Sequence, residues 1–305
     1  MSEKSWTPLE LIRVSAEYLK SKGVPDARLA AEMLLAHILG VERIMLYAGF
    51  EKVVEPEAVD QYRELIRRRA AREPTQYILG KAEFYSLTFE VNRAVLIPRP
   101  ETETLVELVL ERLSGHAEPK LADLCTGSGA AAIAVAANKP AARVWATDNS
   151  AEAIEVARRN VRAHGVEERV TLLVGDLGRP LIENGLSGTF NALTANPPYV
   201  GADELEGLQP EVRLYEPKNA LIPLDGRADS LYGRLAEEAV KLLGEEGLAA
   251  FEIDPRLAQT VPAILEQAGL GSVRIVKDFR GENRVVTGVK KGEGKHGQAG
   301  GGGGI

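Results

Sequence analysis

From residue 101 onward, short runs of branched and small apolar residues alternate with longer stretches of helical period, and this alternation limits the folds open to the chain. Strands are predicted near 120–124, 142–147, 169–174, 190–195, 247–253, 271–278 and 284–289, with helices near 101–113, 130–138, 150–164, 229–243 and 255–268. A helix-length connection is what a parallel crossover requires, so strands spaced in this way pair in parallel. The expected fold class is α/β, a doubly wound, mostly parallel, Rossmann-like seven-stranded sheet that binds ligands at the carboxyl ends of its strands.

The first hundred residues follow a different pattern. Thr7 and Glu10 have capping-box spacing, and Pro8 occupies the first helical position. The helix that follows carries Leu11, Ile12, Ser15, Tyr18 and Leu19 on one face and closes at Gly23. Further helices are predicted from Pro25 to Leu39 and from Pro56 to about Ala71. Residues 1–73 thus read as a small helical domain suited to substrate recognition. Residues 74–100, rich in β-branched and aromatic residues and ending at two prolines, read as a hairpin linker. The α/β domain spans 101–289, and 290–305 form a Gly-rich tail expected to be disordered.

Several function classes are disfavoured by composition. The longest apolar run, Ala130 to Ala137, is far shorter than the roughly 18–20 residues of a membrane span, and the N-terminus has no signal-peptide pattern, so a cytoplasmic protein is expected. A lone cysteine, Cys125, and four scattered histidines offer no metal-ligand spacing. The net charge of −7 divides into +1 over residues 1–100 and −8 over the remainder, and no broad basic surface for nucleic acid is visible. The local exception is "RELIRRRAAR", with Arg63, Arg67, Arg68, Arg69 and Arg72. It reads as a solvated helix face or, as the lesser alternative, as a contact for an RNA-associated partner.

Two motifs carry chemistry. "LADLCTGSGAAAIAVA" places Asp123 near a strand end, ahead of Cys125, Thr126, Gly127, Ser128 and Gly129 and a small-residue helix. Glycines at this spacing let backbone approach a ligand, although a plain structural turn has the same form. Asp148 ends the next strand where ribose hydroxyls would be gripped, and Asp176 with Leu177 follows the third strand where adenine could lie. Asp123 beside the loop would repel a pyrophosphate but suit a cation, which favours the sulfonium and ammonium of S-adenosylmethionine over a dinucleotide. The second motif is "NPPY". Asn196 offers a side-chain carbonyl, Pro197 a carbonyl without a backbone N–H, Pro198 rigidity and Tyr199 a flat face. Two acceptors and a ring can hold a planar NH₂ group and present its nitrogen to an electrophile.

Together the glycine loop and NPPY resemble the class I, S-adenosylmethionine-dependent N-methyltransferases. "EPTQYILGKAEFYSLTFEV", "LIPRPETETLVE", "ATDNS", "EVRLYEPKNAL" and "RGENRVV" extend the resemblance to the release-factor glutamine N5-methyltransferases, the HemK/PrmC family. The resemblance implies methyl transfer from S-adenosyl-L-methionine, leaving S-adenosyl-L-homocysteine, to the glutamine of a Gly-Gly-Gln motif in peptide-chain release factors, with no direct nucleic-acid partner. It implies that residues 125–129 lie along the methionine part of the donor, that Asp148 takes the ribose and that Asp176 and Leu177 border the adenine. By the same resemblance Asn196, Pro197, Pro198 and Tyr199 hold the substrate amide, Asn196 also touching the donor, while Arg99 and Glu101 brace the site. The alternatives are methylation of an exocyclic amine on a nucleic-acid base, or a catalytically silent binding module. Cys125 stands where the family commonly has glycine, Asn191 where an acid is common, Asp254 where glycine is usual, and Leu177 lacks the aromatic ring of some relatives. A Cβ at 125 restricts the loop if φ there is positive.

Overall fold

A computed structural model describes residues 5–48 and 52–292; the rest of the Gly-rich tail expected over 290–305 lies outside the described residues. The chain falls into two compact units. Met1–Glu83, Thr88–Ile97 and Asp203–Lys218 form one, and Phe84–Leu87, Pro98–Ala202 and Asn219–Ile305 form the other.

The first unit contains helices α1 (Pro8–Ser21), α2 (Ala27–Leu39), α3 (Met45–Ala48), α4 (Pro56–Ala70) and α5 (Thr75–Leu79). The capping box opens α1 as predicted: the Thr7 N–H donates to Glu10 Oε2 at 3.0 Å and the Glu10 N–H to Thr7 Oγ1 at 3.4 Å. Helix α2 begins two residues later than the sequence suggested, because Asp26 adopts a left-handed φ of 49°. Leu11, Ile12, Leu19, Leu34, Leu35 and Tyr62 fill its core. The stretch expected as a hairpin linker starts with α5 and then forms strands β1 (Lys81–Phe84) and β2 (Leu87–Glu90). Tyr85 and Ser86, at φ 50° and 60°, make the turn, both central residues having the positive φ of a tight hairpin.

Residues 203–218, including α10 (Pro210–Tyr215), belong to the first unit, so the units do not follow the contiguous segments expected from sequence. The arginine cluster holds this segment. Arg69 Nη2 donates to Glu211 Oε1 at 2.8 Å, Arg72 Nε reaches the same oxygen at 2.8 Å, and Tyr215 Oη donates to the Ala71 carbonyl at 2.8 Å. Arg68 forks onto Glu73 at 2.8 and 2.9 Å, while Arg63 and Arg67 pair with Asp60 and Glu64. Arg69 and Arg72 are therefore enclosed ion-pair anchors, whereas Arg63, Arg67 and Arg68, with side chains 51%, 69% and 39% exposed, form the solvated helix face expected from sequence.

The second unit is built on the sheet. Its elements are α6 (Glu103–Leu113), β3 (Lys120–Leu124), α7 (Ala130–Asn138), β4 (Arg143–Asp148), α8 (Ala151–Ala163), β5 (Val170–Val174), α9 (Arg179–Glu183), β6 (Phe190–Ala195), α11 (Ala228–Leu242), β7 (Leu243–Glu252), α12 (Val261–Gln267), β8 (Leu270–Lys277) and β9 (Asn283–Lys290). Strand order is β5-β4-β3-β6-β7-β9-β8, with β9 antiparallel to both neighbours and the remaining pairs parallel. This is the expected doubly wound seven-stranded sheet. The predicted helix over 255–268 is a 3-10 turn, Pro255–Leu257, followed by α12, because the Asp254 side chain caps a separate turn there. Leu193, Tyr232, Leu235, Phe251 and Val286 lie in the core on one face of the sheet.

Candidate active site

Strand β3 pairs with β4 on one side and β6 on the other, so crossovers leave in opposite directions and a crevice opens at the carboxyl ends. Leu124 lies in register with Thr147 of β4 and with Ala195 of β6. The glycine loop and Asn196 therefore leave adjacent strands at one level.

Cys125, Gly127 and Gly129 have φ of 58°, 55° and 81°. A Cβ on Gly129 would sit 3.1 Å from Ile133 Cδ1 and 3.3 Å from Ala157 Cβ, so glycine there lets α7 approach α8. A Cβ on Gly127 would meet nothing within 4 Å, which makes that position a backbone surface open to a ligand. The loop is tied down on several sides. Thr126 N–H donates to the Thr147 carbonyl at 3.0 Å, Gly127 N–H to Asp148 Oδ2 at 2.9 Å, and Asn160 Nδ2 to the Ser128 carbonyl at 2.9 Å.

Cys125 thus carries a side chain in the left-handed region, which costs about 1–2 kcal/mol. Burial and the nearby carboxylate of Asp148 push its thiol well up, so it is no nucleophile. Cys125→Gly is expected to stabilise the protein by about 1 kcal/mol after the entropy of glycine is subtracted, raising the melting midpoint by about 2–4 °C. A lowered midpoint would mean that packing of the thiol outweighs the backbone cost.

Asp123 is 2% exposed. It accepts from Thr126 Oγ1 at 2.6 Å and Thr194 Oγ1 at 2.7 Å, and burial pushes its pKa up to about 6. Being enclosed by hydroxyls, it acts on the crevice through its field. Asp148 accepts from the Gly127 and Ser150 N–H groups at 2.9 and 3.0 Å and is also raised by burial. Asp176 is paired with Arg234, a cation that the sequence did not suggest. Leu177 has φ 49°, and its carbonyl accepts from Thr147 Oγ1 at 2.7 Å. A buried carboxyl group, Asp123, and a half-buried one, Asp148, around an open backbone turn fit a cationic organic ligand better than a pyrophosphate. Among the described residues, no cluster could hold a metal ion.

At the end of β6, Asn196 Nδ2 donates to Thr102 Oγ1 at 3.2 Å, which leaves Oδ1 for an incoming donor. Pro197 is buried, Pro198 partly so, and Tyr199 packs on the core, where burial pushes its hydroxyl above the ordinary range and keeps it neutral. The loop is closed by Val200 N–H, which donates to the Leu221 carbonyl at 2.9 Å. Thr102 ends the 3-10 turn Pro100–Thr102, capped by Arg99, whose carbonyl accepts from the Thr102 N–H at 3.0 Å; Glu101 is bridged to Arg280 at 3.1 Å.

Thr102 and Glu252, which the sequence reading did not single out, are linked to Asn196 by hydrogen bonds. Thr102 Oγ1 donates to Glu252 Oε2 at 2.6 Å, and Glu252 is 1% exposed. Ala195 is in register with Phe251 of β7, so Asn196 and Glu252 take the next positions on neighbouring strands. The available signal was a single acid inside the apolar run "LAAFEI". Two departures from the family pattern have local roles. Asn191 Oδ1 accepts from the Lys120 N–H at 2.8 Å. Asp254, at φ −66°, needs no glycine and caps the following turn.

Residues 10–80 match the family described as PrmC N-terminal domain, and residues 101–208 match the methyltransferase small domain. The release factor glutamine methyltransferase of Chlorobaculum tepidum is 38% identical over 93% of this chain and 98% of its own length. That of Geobacter sulfurreducens is 41% identical over 94% and 99%. The catalytic domain of hMettl16, solved in complex with the MAT2A 3′UTR hairpin 6, shares the fold with a TM-score of 0.54 at 15% identity, covering 75% of this chain and 82% of that one. With matches of this extent over both units, the chain belongs to the release factor glutamine methyltransferase family.

Proposed function

We propose that this protein transfers a methyl group from S-adenosyl-L-methionine to the side-chain amide nitrogen (N5) of the glutamine in the Gly-Gly-Gln motif of peptide-chain release factors, leaving S-adenosyl-L-homocysteine. The observation that carries this is the polarity of Asn196: its nitrogen is committed to Thr102 and its oxygen is left to accept. With the Pro197 carbonyl, Oδ1 would take both hydrogens of a planar amide while Tyr199 packs against its plane. The relatives named above bear the corresponding enzyme name.

Residues 125–129 and Asp148 would hold the donor, with Asp123 supplying negative field and Asp176 and Leu177 bordering the adenine. When bound, that donor supplies a methyl group on a cationic sulfur. The protein's part is to orient the substrate nitrogen, an effect worth roughly 7–11 kcal/mol in favourable cases. A smaller electrostatic contribution comes from two carbonyl oxygens aimed where nitrogen becomes positive. No strong base is needed beforehand, since the N–H turns acidic only as the new bond forms.

Incubation with labelled S-adenosylmethionine, an unmodified release factor and its Gly-Gly-Gln glutamine-to-alanine variant tests the proposal. Label mapped to that glutamine and absent from the variant is expected; label on nucleic acid instead would overturn it. For the first unit we propose a part in holding the release factor. Its cavity of about 250 Å³, edged by the exposed Val14 and Tyr18, supports that part. A release factor whose KM equals that of a bare Gly-Gly-Gln peptide would remove it.

Donor affinity should depend on pH through Asp123. In the free protein Asp123 stays protonated up to about pH 6, and a cationic ligand favours its ionised form. Binding is therefore expected to be about tenfold weaker at pH 5 than at pH 7. Calorimetry with S-adenosyl-L-methionine should show this, and Asp123→Asn should flatten the dependence. An unchanged slope in the variant would assign the proton to another group.

A further inference from the structure

The hydrogen-bond chain behind Asn196 has a direction, and its far end fixes that direction. The Thr102 hydroxyl owns one proton. Because it donates that proton to Glu252 Oε2 at 2.6 Å, it can only accept from Asn196 Nδ2 at 3.2 Å. An ionised Glu252 has no proton to give, so the order Asn196 to Thr102 to Glu252 is forced. Were Glu252 protonated, it could donate to Thr102, which could then donate onward to Asn196 Oδ1. The amide would turn over and present N–H groups toward the crevice instead of an acceptor.

We propose that Glu252 is a positioning residue that acts through Thr102 to fix the polarity of the Asn196 amide, and that the ionised carboxylate is its active form. This rests on the amide-methylating function proposed above.

The surroundings suit such a role. Glu252 is the last residue of β7, and its carbonyl accepts from Tyr232 Oη at 2.6 Å, which fixes the backbone. Arg284 from β9 attracts the carboxylate and is itself held by Asp278 at 3.1 Å. Arg99 also favours the ionised form, whereas Glu101 opposes it. Tyr199 and Tyr232 are the further titratable groups that feel the Glu252 charge. Burial is the largest influence and raises Glu252 to about 7, against the pull of Thr102 and Arg284. The carboxylate therefore changes charge near neutrality. Turnover should rise with pH through that range.

The test uses the full chain with labelled S-adenosylmethionine and a release factor, measuring kcat, KM and donor Kd from pH 5.5 to 8.5. Wild type is expected to show an acid limb in kcat near pH 7. Glu252→Gln removes the charge that forces the order, since its amide can turn an N–H as well as its oxygen toward Thr102, and it should lower kcat by about 10- to 100-fold and flatten that limb, with donor Kd within about threefold. Thr102→Val should fall likewise, and Thr102→Ser should recover most of the activity. Wild-type kcat and an intact limb in Glu252→Gln would overturn the proposal, as would a Thr102→Ser variant as slow as Thr102→Val. If Glu252→Gln does not fold, the Thr102 pair decides. A wild type that labels no glutamine sinks the function proposal and this one with it, whereas a labelled glutamine with an indifferent Glu252→Gln sinks only this one.

Discussion

Asn196→Ala is expected to lower kcat for release-factor methylation by about 10²- to 10³-fold, the usual cost of removing one oriented polar group from a reacting centre. Donor Kd should stay within about threefold. The separation follows from the sheet. Residues 125–129 and Asp148 belong to the β3 and β4 ends and are held by Thr147, Asn160 and their own backbone bonds, none of which involves Asn196. Removing the amide leaves that framework intact but deprives the substrate of one of two acceptors. The Pro197 carbonyl remains, which is why the loss should stop short of abolition. Single-turnover methylation with calorimetric donor binding measures both quantities. Equal losses in the two would contradict the assignment of Asn196 to the substrate side.

Much of this site was legible in the sequence because its pieces are contiguous. A glycine turn after a strand, an acid at the end of the next strand and NPPY after the fourth each depend on local spacing, and sheet register brings them to one level. Asp123 was legible as an acid beside the loop but not as an enclosed group bonded to Thr126 and Thr194, since Thr194 arrives from another strand. Glu252 was hidden for the same reason. Its partner Thr102 lies 150 residues away in sequence, and only the pairing of β6 with β7 places it behind Asn196. Within the arginine cluster Arg69 and Arg72 departed from the solvated face because their partner, Glu211, lies more than 130 residues downstream, whereas Arg63, Arg67 and Arg68 do face solvent. Helix periodicity placed α1, α7 and α8 within about a residue, while the short α5, α9 and α10 lacked enough turns to show a period.

Replacing Glu211 should produce a large stability change in the first unit. Its carboxylate, 10% exposed, is shared by Arg69 at 5% and Arg72 at 21% side-chain exposure. Burial alone would raise its pKa, but hydrogen bonds from Arg72 and Arg69 outweigh that and hold it below the ordinary carboxylate range. Glu211→Ala leaves the Arg69 guanidinium buried without its counter-ion, and breaking one side of a buried pair costs about 3–5 kcal/mol. Glu211→Gln keeps an acceptor and should lose less. Hydrogen exchange should show the amides of 210–215 losing protection before those of the sheet, because this segment is anchored through Glu211 and Tyr215. The acid side gives an independent check. A carboxylate with a depressed folded-state pKa contributes stability above its unfolded value, and that stability disappears as pH falls through the folded one. Glu211→Ala should therefore be less sensitive to acid than wild type below about pH 4.5. Donor affinity should not change, since the glycine loop and Asp148 lie in the other unit. A loss below about 1 kcal/mol, typical of an exposed pair, would mean that the arginines find other partners and that the ion pairs do not anchor residues 203–218.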